Sequence, residues 1–460
     1  MSRNASSVAD AVADAGLEAG EVRGGVLERL FGISRHGSSV RTEILAGLAT
    51  FLAGMYIIVV NPSVLNQAGI PFSQALTATV LISFLGSLAM GLYARNPFLV
   101  APGLGMSALF TYTLVEGAGI PWEVALGCVF WSGVLFAVLA LFNVRKHVVD
   151  AIPESMRFAI TSGIGLFITL IGFKNAGFVV SNPATVVSMA SLDATVITFL
   201  VGLAITGVLV ARRASGALVL GIVLTTLAAT PIGRLWGSDE AVVNWQGLVA
   251  APDFGGIMRL EILEALNYVY WPFIFVFLFT NFFDAMSTFM GVCEAANLKD
   301  ENGNPHNIRQ SMFVDALASA LAAPLGTGAG QTFIESGAGV AQGGRTGLVA
   351  VVVALLFLPF LFLSPLLSLV PAIATAPVLI MVGTFMMEPI RRIDWSDYEI
   401  AVPAFITVVL MPFTYSITLG IAFGFLAFIA IKLCLGKLGD IKPAMWIAGA
   451  LSILLLVTTG

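Results

Sequence analysis

The chain has 460 residues, of which 58% are apolar and 11% charged, with a formal net charge of −5. Soluble globular chains run near 45–50% apolar and about 25% charged, and the mean hydropathy here is +0.95. This composition excludes a soluble enzyme, a nucleic-acid binder and a disordered chain, and it places the protein in a membrane.

A membrane-crossing helix takes about 20 apolar residues, so the apolar content supplies material for about 12–14 crossings. Ten-residue strands of alternating polarity are absent, which argues against a β-barrel. The three cysteines, Cys128, Cys293 and Cys434, lie far apart in apolar stretches. Without Cys-x-x-Cys spacing they read as small buried hydrophobes, not as a disulfide framework or zinc site.

In chain order, residues 1–42 read as a tail rich in small and polar residues, and no secretory signal is expected in it. Its end, Val26-Leu27-Glu28-Arg29-Leu30-Phe31-Gly32-Ile33, predicts a short amphipathic helix on the membrane surface. Apolar runs predict spans near 44–61, 76–94, 99–115, 122–143, 155–173, 194–211 and 216–230. A wetter segment, 231–265, holds Asp239, Glu240, Asp253 and Glu261. A second series follows near 268–293, 309–325, 331–344, 346–364, 372–388, 398–413 and 415–435. The last apolar piece, 444–458, reads either as an extra crossing or as a helix lying against the bundle.

Every second connection is basic: Arg23, Arg29, Arg35 and Arg41 before the first span, then Arg95, Arg145 with Lys146, Arg212 with Arg213, Lys299 with Arg309, Arg391 with Arg392, and Lys432 with Lys437. Basic loops stay in the cytoplasm, so the amino terminus is expected to be cytoplasmic and 231–265 to face outside.

Seven spans, a wet linker and seven more spans suggest a duplication with the two units inverted. Pro153, Gly165 and Phe167 match Pro371, Gly383 and Phe385 at one offset, since 371−153, 383−165 and 385−167 each equal 218. Pro102-Gly103-Leu104-Gly105 and Pro324-Leu325-Gly326-Thr327-Gly328 break apolar runs at corresponding places in the third and tenth spans. Backbone N–H and C=O groups cannot stay unpaired in hydrocarbon. A broken helix therefore survives only where the freed groups meet protein or a polar cavity, and paired breaks point to a transporter's substrate site.

Few carboxylates lie inside the spans. Asp284 shares a helix face with Asn281, Ser287, Thr288 and Gly291, a polar stripe on an otherwise apolar helix. Glu335 sits beside the break in the tenth span. A mid-membrane carboxylate is costly unless paired or neutral, so these two are expected to line one cavity, one meeting substrate and one carrying a coupling proton. Asp315 reads as a support behind the site or as a helix-end cap. Glu116 and Glu123 read as solvated at an external turn, and Glu154 with Arg157 as a pair at a helix start. Asn61-Pro62 reads as the end of the first span. His36, His147 and His306 have no partner at metal-ligand spacing, so neither a metal nor another cofactor is expected.

The run from Leu27 to Ile33 followed by Val40-Arg41-Thr42-Glu43-Ile44-Leu45-Ala46-Gly47-Leu48-Ala49-Thr50-Phe51-Leu52 resembles the opening of the adenine/guanine/hypoxanthine permeases. These belong to the nucleobase–cation symporter-2 superfamily, with the uracil and xanthine permeases as cousins. Asn61-Pro62-Ser63-Val64-Leu65, Ala101-Pro102-Gly103-Leu104-Gly105-Met106, Phe283-Asp284 with Gly291-Val292, and Ile334-Glu335-Ser336-Gly337-Ala338-Gly339 running into Gly343-Gly344-Arg345-Thr346-Gly347-Leu348 extend the likeness over about 26–437.

The resemblance implies an all-α polytopic protein of about 14 transmembrane helices in two inverted seven-helix repeats (43–230 and 266–437), with 438–460 as a terminal apolar segment. It implies a core domain of 43–145 plus 266–365 and a gate domain of 150–230 plus 366–437. Short strands are implied in the broken third and tenth spans, near Leu99-Val100-Ala101 and Gln331-Thr332-Phe333, with the substrate between them. It maps the family's substrate-contacting acids onto Asp284 and Glu335, which are also the expected proton carriers; Gln331, Thr332, Gly105, Ser107 and Phe283, in and beside the breaks, are the further expected substrate contacts, with Phe110 and Phe282 as other stacking candidates. It also implies a plasma (inner) membrane symporter for a purine base, H⁺-coupled, of elevator type and homodimeric, with membrane lipid around it, no nucleic-acid partner and no enzymatic activity.

This chain departs from the family pattern at Ser107, where Asn is common, at Gly328-Ala329-Gly330-Gln331, where a Thr/Ser-rich run is common, and at Asp284-Ala285, where Asp-Thr is usual. These positions bear on which heterocycle is carried: a purine, or xanthine, urate or uracil. Inorganic-anion transport is disfavoured because acids, not arginines, occupy the breaks. A membrane hydrolase using the acid pair and a channel are the rivals of different class.

Overall fold

The computed structural model describes residues 25–141, 152–236, 241–296, 298 and 306–459. Arg23, Arg145, Lys146, Asp239, Glu240 and Lys299, which entered the charge reading, and His147, weighed as a metal ligand, lie outside the described residues.

The first half begins with a surface helix α1 (Val26–Phe31) and the first span, α2 (Val40–Gly54) and α3 (Ile57–Gln67). Then come α4 (Phe72–Ala89), strand β1 (Val100–Pro102), the half-helix α5 (Leu104–Ala108) with its π-helical extension Leu109–Gly117, and α6 (Trp122–Leu141). Helix α7 (Glu154–Asn175) leads to a hairpin of β2 (Val179–Asn182) and β3 (Val186–Met189), then α8 (Ala194–Ala211) and α9 (Ala217–Ala229).

The second half repeats this order. Helices α10 (Trp271–Ala296) and α11 (Ile308–Leu325) precede β4 (Gly330–Thr332), a 3₁₀ turn Ile334–Ser336 and the half-helix α12 (Gly337–Ala341). Then follow α13 (Gly347–Phe357), a short α14 (Ser364–Leu367), α15 (Ala372–Met386), α16 (Tyr398–Phe413), α17 (Ile417–Cys434) and α18 (Pro443–Thr459). Among the described residues eight helices are long and apolar enough to cross a membrane. The protein is a polytopic helical membrane protein.

Local chemistry explains the boundaries. Ser39, Asp193 and Ser416 cap α2, α8 and α17, each side chain accepting a backbone N–H of the first turn. Pro153 and Pro371, equivalent in the repeat, stand immediately before α7 and α15. The helix ahead of the tenth-span break ends on Gly326 at φ 93°, a left-handed conformation that glycine adopts without strain. Helix α18 lies against α17 and α10.

Packing sorts the helices into two groups. In one, α6 packs on α11 and α2 on α13; in the other, α7 packs on α15 and α16, and α8 and α9 pack on each other and on α15. At the α7–α15 crossing, Gly165 and Gly383 face each other. A Cβ on Gly165 would sit 2.7 Å from the Gly383 carbonyl, and one on Gly383 would sit 2.5 Å from that of Gly165. Two residues at the shared offset of 218 therefore meet reciprocally across a local two-fold.

Several expectations are corrected. Asn61 and Pro62 do not end the first span: both lie inside α3 and are buried. The proline removes one backbone bond, the Ser63 hydroxyl donates to the Val59 carbonyl in the same turn (2.8 Å), and Asn61 is anchored by neighbouring spans. The interruption comes earlier, at Met55-Tyr56. The tenth segment is broken as expected, with strand β4 beside the expected Gln331-Thr332-Phe333, then a 3₁₀ turn and a five-residue helix. Asp315 is no cap, since it lies fully buried in the middle of α11. Cys128 and Cys293 are buried as expected, but Cys434 is exposed at the end of α17. The hairpin β2–β3 lies between the fifth and sixth spans, where no strand was expected.

Candidate functional site

The two breaks meet in the interior of the protein. Strands β1 and β4 pair antiparallel, with Val100 opposite Thr332, Ala101 opposite Gln331 and Pro102 opposite Gly330. The Gly103 N–H donates to Ala329 (3.0 Å) and the Phe333 N–H to Leu99 (2.9 Å), extending the ladder at both ends. Pairing two segments from opposite halves satisfies backbone groups that hydrocarbon would leave unpaired.

Side chains finish the job. The Ser87 hydroxyl bonds both the Val100 N–H (2.9 Å) and its carbonyl (3.0 Å). Ser336 accepts from the Leu99 N–H (3.0 Å) and donates to the Phe333 carbonyl (2.6 Å). Ser319 of α11 donates to the Gly330 carbonyl (2.5 Å) and in turn receives a short bond from the Asn281 amide of α10.

The acids converge on this ladder. Asp284, from the middle of α10, is partly exposed and accepts from the Gln331 amide at 2.7 Å. Glu335, in the 3₁₀ turn that opens the tenth half-helix, is also partly exposed and accepts from the Tyr56 phenol at 2.7 Å. Asp284 lies within Coulombic reach of Glu335, and Asp315 within reach of Asp284. Asp315 sits behind the strand, where Thr332 donates to it at 2.6 Å.

The other expected residues divide. Gln331 joins the acids, its side chain folded over Gly103 at the start of α5. Thr332 is buried and turned toward α11. Ser107 is buried and gives its hydroxyl to the Asn61 carbonyl (2.5 Å). Gly105 faces the second helix group, where an added Cβ would lie 3.2 Å from Ile164 and 3.6 Å from Met386. Phe283 lies on the side of α10 that meets α7, with the Arg157 guanidinium 5.2 Å from its ring centre. Phe282 instead packs edge-on against Phe136 (5.5 Å), and Phe110 is fully buried.

Two contributors were not foreseen. Tyr56 sits at the kink of the first span, its ring 6.5 Å from Phe333. Asn61 links three segments: its amide donates to Thr79 (2.8 Å) and Thr327 (3.0 Å) while its carbonyl takes the Ser107 hydroxyl. The rule that polar groups inside spans are functional, applied to Asn as it was to Asp and Glu, finds Asn61. Tyr56 carries no such signal.

A helical bundle whose centre is two antiparallel strands at the mouths of broken helices, lined with acids, is built as a membrane carrier. The comparisons agree. The family model Xan_ur_permease, described as a permease family, matches residues 41–423. Adenine permease AdeP of Escherichia coli K12 is 41% identical over 94% of this chain and 96% of its own length. Guanine/hypoxanthine permease PbuO of Bacillus subtilis 168 is 39% identical over 90% of this chain and 96% of its own. The transmembrane domain of the cyanobacterial bicarbonate transporter BicA shares the fold, with TM-score 0.61 at 16% identity over 85% of this chain and 97% of that domain. The chain belongs to the Xan_ur_permease family of permeases.

Proposed function

We propose that this protein imports a purine nucleobase by proton symport across the plasma (inner) membrane, with its amino terminus in the cytoplasm. The relatives named for adenine and for guanine/hypoxanthine support the cargo class. The observation that carries the mechanism is the pair of partly exposed carboxylates at the strand crossing, each held through one oxygen by a neutral donor: Asp284 by Gln331 and Glu335 by Tyr56. A carboxylate so held keeps its second oxygen for a ring or exocyclic N–H, or for a proton. A carboxyl group can take up a proton on one side of the membrane and release it on the other.

In the cycle, Glu335 takes a proton on the outer side and the base binds across the strands, with Phe283 as wall. The core domain (43–145 plus 266–365) then moves past the gate domain (150–230 plus 366–437), and proton and base leave inside. The gate domains of two copies form the dimer.

The test is labelled uptake in cells lacking their own nucleobase permeases, with adenine, guanine, hypoxanthine, xanthine and uracil, with and without a protonophore. Accumulation of a purine that collapses with the protonophore is expected. Accumulation of xanthine or uracil alone would move the cargo, and accumulation that survives the protonophore would remove proton coupling.

A further inference from the structure

Helix α7 runs along the seam between the two helix groups, and one stripe of it touches the other group throughout. Arg157 lies over Phe283, Ile164 faces Gly105, Phe167 packs edge-on against Tyr112 (6.3 Å), and the Asn175 amide donates to the Tyr112 hydroxyl (3.3 Å). Arg157 and Lys174 are 17 residues apart, which on an α-helix is about 25 Å, most of a bilayer.

The two ends of this seam differ. At the Arg157 end the guanidinium lies over the Phe283 ring, and beyond Asp284 on α10 Ser287 and Gly291 are exposed. The other end is shut. Lys174 donates to the Tyr415 hydroxyl (2.8 Å), its ammonium lies 4.8 Å from that ring's centre, and it pairs with Glu116 at 3.7 Å. Tyr415 stacks edge-on with Phe167 (5.5 Å) and Tyr112 (6.2 Å), and the Ile417 N–H donates to the Thr113 hydroxyl (3.1 Å). Glu116, Tyr112 and Thr113 belong to the third span, whereas Lys174, Phe167, Tyr415 and Ile417 belong to the fifth span and to the turn between the thirteenth and fourteenth. These contacts tie one helix group to the other at the Lys174 end of the seam.

We infer that Lys174, with Glu116 and Tyr415, is a latch that holds the outer end of the seam closed and releases once in every transport cycle. The inference rests on the two-body cycle proposed above. It fits the energetics of a latch. The Lys174 and Glu116 side chains are 49% and 31% exposed, so their pairing is weak and screened. Such a bond favours one state without locking it.

The test uses the full chain with Cys128, Cys293 and Cys434 replaced by alanine and Thr113→Cys as reporter. Thr113 is buried directly under the latch. A membrane-impermeant methanethiosulfonate reagent is added from outside. Lys174→Met is expected to raise the labelling rate about fivefold, Tyr415→Phe to raise it less, and Lys174→Arg to leave it near the parent rate. Lys174→Glu with Glu116→Lys should restore the parent rate, which separates pairing from loss of folding. Equal rates in the parent and Lys174→Met overturn the latch, as does labelling that occurs only from the cytoplasmic side. Labelling needs no substrate, so a failure of purine uptake would overturn the cargo while leaving this result to stand or fall alone.

Discussion

The third- and tenth-span breaks occupy equivalent places in the two halves, yet they are built differently. After β1 the chain runs straight into a long, almost wholly buried helix, from Leu104 to the π-helical end at Gly117. After β4 it makes a 3₁₀ turn and only a five-residue helix. The third break offers backbone and Ser107, whose hydroxyl goes to Asn61. The tenth break carries Gln331 and Glu335, the side chains that reach toward Asp284 and Tyr56. The backbone solution to a helix break is thus kept in both halves, and the ionisable chemistry stands in one.

If that division is right, the largest effect belongs to the tenth break. Glu335→Gln keeps the size and the acceptor for Tyr56 but cannot cycle a proton. Uphill accumulation of the base should vanish, the inside-to-outside ratio falling to equilibrium, while exchange of internal for external base persists. Accumulation at the parent level would remove Glu335 from the coupling.

Next is the contact between the breaks. Gln331→Ala leaves Asp284 without its amide donor, and a hydrogen bond to a charged group is worth about 1.5–3 kcal/mol. Half-saturation should therefore weaken by about tenfold or more. A Cβ on Gly103 would occupy the space of the Gln331 amide, so Gly103→Ala should resemble Gln331→Ala. The double variant should be little worse than either single one, because both act through one side chain. Additive losses would mean that the third break makes its own contact with the base.

Much of this was legible in the residues. Hydropathy places the long crossings because an apolar run of about 20 residues needs no partner to be recognised. The breaks show because Pro102-Gly103 and Pro324 to Gly328 punctuate such runs, and Asp284 and Glu335 show because an acid inside a span has few bland explanations. The partners were not legible. Asn61 meets Thr327 across 266 residues and Tyr56 meets Glu335 across 279, and nothing local to either residue records the meeting. The same blindness turned Asn61-Pro62 into a helix end: proline's local rule was applied without the buried hydrogen bonds that hold the helix together there. The hairpin after α7 was missed because its strands are only four residues long each.

A smaller effect should follow at the third break. Ser107→Ala removes the donor to the Asn61 carbonyl and leaves that oxygen buried and unpaired, a loss of about 1–3 kcal/mol of stability. Because Asn61 also holds Thr79 and Thr327, the expected readout is a thermal midpoint lowered by a few degrees in detergent with base uptake within about twofold of the parent. A tenfold loss of affinity without loss of stability would instead place Ser107 against the substrate.

The smallest effect separates the breaks by what lies outside them. The linker between the halves crosses the approach to the tenth break: the Met258 N–H donates to the Pro324 carbonyl (2.7 Å), and a Cβ on Gly326 would stand 2.9 Å from the Gly256 carbonyl. Asp253 fastens this strap, accepting from the Gly255 N–H (2.9 Å) and the Ser73 hydroxyl (2.8 Å), and these bonds hold its carboxyl below the ordinary carboxylate range. A carboxyl that stays ionised to lower pH in the folded chain than in the unfolded one adds stability above its unfolded pKa of about 3.9 and loses it as pH falls through the lower folded value. Amide exchange over 250–262 should therefore quicken relative to the intrinsic rate as pH drops from about 5 to 3, and Asp253→Asn should show the faster exchange already at pH 5. The stretch around β1 is held by the Ser87 and Ser336 hydroxyls and should keep its protection over the same range. Equal loosening of both breaks on acidification would mean that the two are held by the same forces after all.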